Sequence, residues 1–432
     1  MGFIADLLDP IPIPRVAGVS QKFDRPRMDD SGGALKQILN TSGVLESVFP
    51  KMEIAIAVGS RGISNQPVLV KLIAEALREK GARPFLVPAM GSHGGATADG
   101  QKKMLEDLGF GEDKIAVPIR SSMETVRVGT SQNGLPVHVD KNAHEADGIV
   151  IINRIKPHTS FRGPYESGLM KMIAIGLGKQ KGAEICHELG IERIAENFPA
   201  IARVAIEKEN ILFAIGLLEN AYHETCRVEL LRKEEIETEE PKLQKEAKRL
   251  LPKLHFTDID VLVIDEIGKN ISGTGFDTNV VGRYHTPGCS GGPNVTRLVI
   301  LNVTDETHGN ANGLGIADFT TRRIFDQFSF ENTYPNALTS TVLPSVKIPM
   351  VLETDLLAIK AAIKTCNILD KRNVRLIRIK NTNEIERIEV SESMLDGVRG
   401  NPYLSIETDL YPLALNDDGN LVYPISNTST QL

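Results

Sequence analysis

Short apolar runs rich in β-branched residues alternate with amphipathic helices from about residue 52, and this alternation constrains the fold more than any other feature. Residues 52–58 (MEIAIAV) form the first run, and a helix with apolar residues at 3.6 spacing separates them from the second run, at 85–90. Strand–loop–helix repetition of this kind predicts mainly parallel sheets covered by helices. The pattern continues with strands predicted at 147–152, 260–265, 296–302 and 374–379, and a helix near 354–365.

The length of 432 residues predicts more than one domain. We expect an N-terminal domain over 1–230 and a helical linker over the charge-dense segment 231–256, where Pro241 can start a helix. A C-terminal α/β domain over 257–400 and a tail over 401–432, packing back on the first domain, complete the chain. The predicted fold class is α/β, with two domains of mainly parallel sheets flanked by helices and an active site in the interdomain cleft.

Composition narrows the class of protein. A formal net charge of −7 argues against a nucleic-acid binder. No stretch approaches the ~20 apolar residues of a membrane helix, and the N-terminus lacks the features of a secretory signal. None of the four cysteines forms a Cys-x-x-Cys pair, so a reducing cytoplasm is the expected location.

Polar candidates follow the predicted strands, where parallel α/β sheets bind their ligands. His93 lies in the loop Gly91-Ser92-His93-Gly94-Gly95, whose glycines could also let backbone N–H groups cradle a phosphate. Arg61 suits a carboxylate or phosphate, although it could equally be a surface arginine. His158 follows Lys156-Pro157, and the alternative for this segment is a helix-entry loop with its own hydrogen bonds.

Three further residues are weaker candidates when taken singly. Lys171 lies in the apolar segment 166–178, predicted to be a buried helix, and a lysine there is costly unless paired or covalently used. His187, sixteen residues later, could be an ordinary helix residue. Lys269 belongs to a polar strand-end loop, and His308 to another at 302–318, where turn chemistry is the alternative to ligand binding.

Taken in order, these residues resemble the lactate racemase family, which uses a nickel-pincer nucleotide. The resemblance implies that Arg61 and Lys269 bind the substrate and that His93 and His158 are the two acid/base histidines. It also implies that the cofactor joins covalently to Lys171 and that His187 binds its nickel. Ser60, Ser92 and Gly94 stand beside these residues as further cofactor-binding candidates.

The expected activity is therefore that of an isomerase, a 2-hydroxy acid racemase or epimerase. It would invert the α-carbon by hydride transfer to the cofactor through a 2-keto acid. The absence of tryptophan and the polar loops of the second domain favour a larger or more polar acid than lactate, such as a sugar acid. The expected partners are this substrate and the host proteins that make the cofactor, with neither nucleic acid nor membrane involved.

Two other functions remain open at this point. One is a metal-dependent hydrolase that uses His93, His158 and His308. The other is a non-catalytic homologue that binds an anion or nucleotide. An NAD-dependent dehydrogenase is disfavoured because no Gly-x-Gly-x-x-Gly follows any predicted strand.

Overall fold

The computed structural model describes residues 2–422, which form two compact units. The middle unit comprises residues 24–251, and the terminal unit comprises residues 2–23 and 252–422. The strands, numbered in chain order, are β1 Val16–Gln21, β2 Glu53–Val58, β3 Arg83–Pro88, β4 Thr125–Thr130, β5 Pro136–Asp140, β6 Gly148–Arg154, β7 Ile211–Glu219, β8 Thr225–Leu231, β9 Asp258–Ile264, β10 Asn294–Ile300, β11 Phe319–Thr321, β12 Met350–Leu352, β13 Leu376–Ile379, β14 Arg387–Ser391 and β15 Leu404–Ile406.

The helices cover the sheets. They are α1 Phe3–Leu8, α2 Ser31–Thr41, α3 Gln66–Glu79, α4 Ala98–Leu105, α5 Glu112–Ile115, α6 Lys141–His144, α7 Leu169–Lys171, α8 Lys179–His187, α9 Ile194–Lys208, α10 Ile236–Leu250, α11 Thr278–Val281, α12 Arg322–Gln327, α13 Phe330–Ser340, α14 Asp355–Thr365 and α15 Leu395–Arg399. Two π-helical turns, Glu106–Phe110 and Met172–Gly176, continue α4 and α7. Within residues 2–422, no helix combines the length and apolar character needed to cross a membrane.

The middle unit is built on a five-stranded sheet in the order β3-β2-β6-β7-β8. The first four strands are parallel, and β8 pairs with β7 in the antiparallel sense. Alternate residues of β2 belong to different cores: Ala55 and Ala57 pack on one face, and Ile54 and Ile56 on the other. Because both faces are covered, the strand is apolar throughout, which is why its sequence shows no alternation.

The terminal unit contains an eight-stranded sheet in the order β12-β11-β10-β9-β13-β14-β1-β15. Strands β9 to β13 are mutually parallel where they pair, and β14, β1 and β15 add antiparallel pairs. Val261 and Leu262, consecutive in β9, point into separate cores on the two faces. The expected α/β class, with mainly parallel sheets flanked by helices, is confirmed in both units.

The division of the chain differs from the boundaries expected from the sequence. Residues 2–23 join the terminal unit because β1 pairs with β14 and β15. Helix α10 belongs to the middle unit, and it begins at Ile236, with Pro241 inside it rather than at its start. Of the tail 401–432, Leu404–Ile406 pairs with β1 in the terminal unit, and residues 423–432 lie outside the described part.

Candidate active site

The loops that carry Arg61, His93 and His158 leave three neighbouring strands at the same edge of the middle sheet. Strands β2, β3 and β6 are parallel, and β2 lies between the other two. Their carboxyl ends therefore meet, as the sequence predicted. Two glycines shape the His93 loop: Gly91 and Gly94 have φ values of +58° and +65°, and a Cβ on Gly94 would lie 2.7 Å from the backbone of Gly100.

Arg61 and His93 are in direct contact. The Nη2 atom of Arg61 lies 3.4 Å from Nε2 of His93, and the other ring nitrogen, Nδ1, lies 2.6 Å from the carbonyl oxygen of Met90. Because a carbonyl only accepts, Nδ1 holds the proton of the neutral ring and Nε2 presents a lone pair. His93 is therefore oriented to accept a proton at Nε2.

The guanidinium of Arg61 is not neutralised by an acid. Besides its contact with His93, the guanidinium donates to Ser60, to the carbonyl oxygen at 3.1 Å and to the hydroxyl at 3.3 Å, and no carboxylate within residues 2–422 forms an ion pair with it. Burial and then the charge of Arg154 lower the pKa of Arg61. A partly buried arginine in this state is suited to bind an anion.

His158 holds the opposite tautomer. The backbone N–H of Ser160 donates to Nδ1 of His158 at 3.0 Å, so the proton of the neutral ring lies on Nε2. The ring stacks on Phe161 with centroids 4.1 Å apart, which fixes its plane. The backbone N–H of His158 donates to buried Glu166 at 2.7 Å. In their neutral forms, His93 can accept a proton at Nε2 while His158 can donate one from Nε2.

Lys171 ends α7, and a π-helical turn follows it directly. The predicted buried helix therefore begins later than expected, at Leu169, and it is π-helical from Met172 onwards. The ammonium of Lys171 lies 6.0 Å from the ring centroid of Phe161. Burial, followed by the charges of Arg61 and Lys156, lowers its pKa to about 8. An appreciable fraction of this amine is neutral near physiological pH, as a nucleophile requires.

Glu240 anchors the helix that carries Lys171. One carboxylate oxygen, Oε2, accepts the backbone N–H of Met170 at 2.8 Å, and burial raises the pKa of the group to about 8. A Cβ on Gly168 would lie 2.2 Å from the other oxygen, so only glycine leaves room for this carboxyl. Sequence reasoning missed Glu240 because its segment was interpreted as a charged linker. Its only signal was a carboxylate on the apolar side of an amphipathic helix.

His187 ends α8 and is neutral near pH 7. Burial and then the charge of Lys171 lower its pKa to about 4. Its Nδ1 atom is buried and has no hydrogen-bond partner among residues 2–422. The adjacent Cys186 is fully buried, and burial raises its pKa to about 12, so it remains a thiol. The neutral imidazole therefore offers an unbonded ring nitrogen to a metal.

No set of protein ligands for a metal ion is present in the described part of the chain. Residues 2–422 contain no group of three or more His, Cys, Asp or Glu side chains placed to hold one. A single neutral imidazole with an unbonded ring nitrogen fits a metal whose remaining ligands come from an organic group. A lysine amine with a lowered pKa beside it fits covalent attachment of that group. Both residues are therefore compatible with a nickel-pincer nucleotide.

Lys269 belongs to the terminal unit, where it follows β9 and contacts the side-chain oxygen of Asn336 on α13. A cavity of about 480 Å³ opens in the same unit, at the carboxyl ends of β9, β10 and β13. Its lining is polar, and Lys269 is not part of it. The residues are Glu266, Asn270, Ile271, Asn302, Val303, Thr304, Asp305, Glu306, Lys380, Asn381, Asn383 and Glu384.

Comparison with known proteins gives one family. Residues 22–197 match the family model described as the lactate racemase N-terminal domain. No curated protein matches the chain. Among solved structures, a protein from Thermotoga maritima has 15% identity and a TM-score of 0.48, covering 65% of this chain and 72% of its own. The lactate racemase apoprotein from Thermoanaerobacterium thermosaccharolyticum has 14% identity and a TM-score of 0.48, covering 86% of this chain and 93% of its own.

Proposed function

We propose that this chain, whose residues 22–197 match the lactate racemase N-terminal domain, racemises or epimerises a 2-hydroxy acid at the α-carbon with a nickel-pincer nucleotide. The family and the fold support a racemase or epimerase type of function. The chemistry and the cofactor are the finer part of the proposal, and the residues of the middle unit are the basis for both.

The contact between Arg61 and His93 is the observation that carries the proposal. A 2-hydroxy acid has a carboxylate one carbon away from its hydroxyl. A guanidinium that binds this carboxylate would bring the hydroxyl close to the unprotonated Nε2 beside it. His93 would then accept the hydroxyl proton as the α-carbon is oxidised to the level of a 2-keto acid.

His158 would perform the reverse step. With Nδ1 accepting from Ser160, its Nε2 can donate a proton to the carbonyl oxygen of the keto acid when the α-carbon is reduced again. Inversion requires the two histidines to serve opposite enantiomers. For the opposite direction the same two nitrogens exchange roles, which imidazoles can do near neutral pH.

Positive charge in the site favours an anionic ligand. The charges of Arg61 and Lys156 both lower the pKa of Lys171, so three cationic side chains are near one another. We propose that Arg61 binds the substrate carboxylate. This charge would also stabilise the alkoxide-like oxygen that develops as the proton leaves.

Lys171 and His187 are the residues proposed to hold the cofactor. The amine of Lys171 would condense with a thiocarboxylate of the cofactor to a thioamide, with loss of water and retention of the sulfur, and His187 would bind the nickel through a ring nitrogen. Ser60, Ser92 and Gly94 are proposed to line the remainder of its site. When bound, the cofactor supplies the acceptor for the hydride of the α-carbon. The protein would acquire this cofactor only in a host that makes it.

The substrate is proposed to be larger or more polar than lactate. The polar sequence of the loops 265–270 and 302–318, rich in amide and carboxylate groups, is the basis for this proposal. Such groups bind the hydroxyls of a sugar acid well and offer little to a methyl group.

A label-retention experiment tests the proposal. Protein from a cofactor-making host is incubated in ordinary water with single enantiomers or epimers of 2-hydroxy acids that carry deuterium on the α-carbon. We expect the inverted product to keep its deuterium, since the hydride leaves and returns without meeting solvent. Inversion with complete loss of the label would indicate proton abstraction from carbon instead, and absence of inversion across sugar acids, dicarboxylic acids and lactate would remove the activity.

A further inference from the structure

Three fully buried polar side chains lie behind the loop of His93. Asp140 ends β5, Lys179 begins α8 and Gln101 lies in α4, and each has 0% of its surface exposed. Burying polar and charged groups costs free energy unless each is matched by a partner. The partners of these three side chains therefore show which segments they hold in place.

The ammonium of Lys179 contacts three oxygen atoms. It donates to the carbonyl oxygen of Pro88 and to Oε1 of Gln101 at 2.9 Å, and it forms an ion pair with Oδ2 of Asp140 at 3.1 Å. Pro88 is the last residue of β3, directly before the His93 loop. Burial lowers the pKa of Lys179 and raises that of Asp140, and each partner opposes the shift of the other. The ammonium thus has two hydrogen-bond acceptors and a buried counter-ion.

Gln101 extends this set to the His93 loop. Its Nε2 donates to the carbonyl oxygen of Gly91 at 2.8 Å and to that of His93 at 3.2 Å. These two carbonyls flank Ser92, so one amide group spans the centre of the loop. With Oε1 held by Lys179, the orientation of the amide is determined.

The backbone of Lys179 is strained. Its φ of +56° is in the left-handed region, which is unfavourable for a residue other than glycine. Lys179 starts the helix that His187 ends, and Ala183 of the same helix faces the loop, 3.7 Å from where a Cβ on Gly91 would lie. The strain persists because the buried bonds of Lys179 are lost in any other conformation.

We propose that Gln101 and Lys179 are positioning residues that fix the His93 loop against the helix carrying His187. Neither side chain touches the reacting atoms. Together they set the spacing between the acid/base imidazole and the metal-binding imidazole, a spacing on which the reaction depends steeply. The consequence for turnover rests on the proposed function, whereas the structural coupling does not.

The test begins with the cofactor-free protein. Gln101→Met keeps the volume and removes the bonds to Gly91, His93 and Lys179. Amide hydrogen exchange, read by mass spectrometry, is expected to rise in residues 91–97 of this variant and, because Lys179 loses one acceptor, in the first turn of α8. The matched control is Ser391→Ala, which removes two hydrogen bonds between a buried side chain and backbone groups of the terminal unit. It should leave exchange in 91–97 unaltered.

The loaded enzyme supplies the second measurement. For Gln101→Met we expect kcat to fall roughly 10- to 100-fold, with KM within about threefold of the wild type. The control should keep both constants. If Gln101→Met does not fold, Gln101→Asn keeps an amide too short to reach the loop and is expected to change both readouts in the same direction.

Two results would overturn the inference. Unchanged exchange in residues 91–97 would mean that Gln101 does not hold the loop. Faster exchange with unaltered kcat would mean that the loop position does not matter for the reaction. If the wild type inverts no 2-hydroxy acid, the proposed function fails, and the exchange measurement still decides whether the buried set holds the loop.

Discussion

The guanidinium of Arg61 and the imidazole of His93 meet at 3.4 Å, although they follow different strands and are 32 residues apart in the chain. Parallel pairing of β2 with β3 brings the two loops together. Since the Met90 carbonyl holds the proton of the ring on Nδ1, the arginine faces a basic nitrogen. An anion-binding group and a proton acceptor are thus adjacent, which is the arrangement that a 2-hydroxy acid requires.

Replacing Arg61 should affect both the substrate and Lys171. In Arg61→Gln we expect kcat/KM to fall by a factor that corresponds to about 2–5 kcal/mol of transition-state stabilisation, because the substrate carboxylate loses its charged partner. The pKa of Lys171 should rise above its value of about 8, because one of the charges that lower it is gone. The midpoint of Lys171 labelling by an amine reagent, followed against pH by peptide mass spectrometry, measures this shift.

The control for this measurement is Arg83→Gln, an exposed arginine at the opposite end of β3. Its labelling midpoint should equal that of the wild type. An equal midpoint in Arg61→Gln would show that Arg61 is too distant from Lys171 to act on it.

The two histidines should divide the enantiomers between them. His93→Ala and His158→Ala should each lower racemisation about 10²- to 10⁴-fold, since each removes a general acid/base. In a single turnover with a trap for 2-keto acids, each variant should still oxidise one enantiomer, and the two variants should prefer opposite ones. If both variants oxidise the same enantiomer, the histidines do not serve opposite sides of the substrate.

Replacing His187 should weaken metal binding and leave the covalent attachment of the cofactor intact. We expect His187→Ala, purified from a cofactor-making host, to lose most of its nickel and to retain the mass adduct on Lys171. In the wild type, nickel should be retained from pH 7 down to about pH 5, because a pKa of about 4 keeps the imidazole neutral over that range. Elemental analysis of desalted protein at each pH measures the nickel content per chain. If His187→Ala contains as much nickel as the wild type, a ligand other than His187 binds the metal.

Deprotonation of Glu240 should lower the free energy of unfolding as pH rises. Burial raises its pKa from 4.5 to about 8 in the folded protein, so the folded state binds this proton more tightly than the unfolded state. The stabilisation is complete below pH 4.5 and is lost as pH rises through 8. Glu240→Gln keeps an acceptor for Met170 and removes the titration.

Urea unfolding at pH 5 and pH 8 measures this effect. Between pH 5 and pH 8, the free energy of unfolding of the wild type should fall by roughly 1–4 kcal/mol more than that of Glu240→Gln. Parallel changes in the two proteins would mean that Glu240 is not buried as a carboxyl.

Much of the fold was predictable because local patterns determined it. The runs at 52–58 and 147–152 are apolar on both faces, and they became β2 and β6 of a parallel sheet. Strand β1 was not predicted, because it depends on antiparallel partners more than 350 residues away, such as Ser391 for Val16. Pairing at that separation leaves no trace in local periodicity.

The candidate site was predictable where loops leave strands and not where distant segments support them. Arg61 and His93 come directly after recognisable strands. Phe161, which stacks on His158 and faces Lys171, has no distinguishing context in the sequence. Glu240 reaches the helix of Lys171 from 70 residues away, so only the folded chain reveals its contact.

The central claim is that the amine of Lys171 carries the cofactor and the imidazole of His187 holds its nickel. Intact-mass and nickel analysis of protein from a cofactor-making host tests it most directly, with Lys171→Ala prepared in parallel. We predict a covalent adduct that peptide mapping assigns to Lys171, about one nickel per chain, and neither in the variant. An unmodified wild type, or a variant that keeps the adduct, would contradict the account.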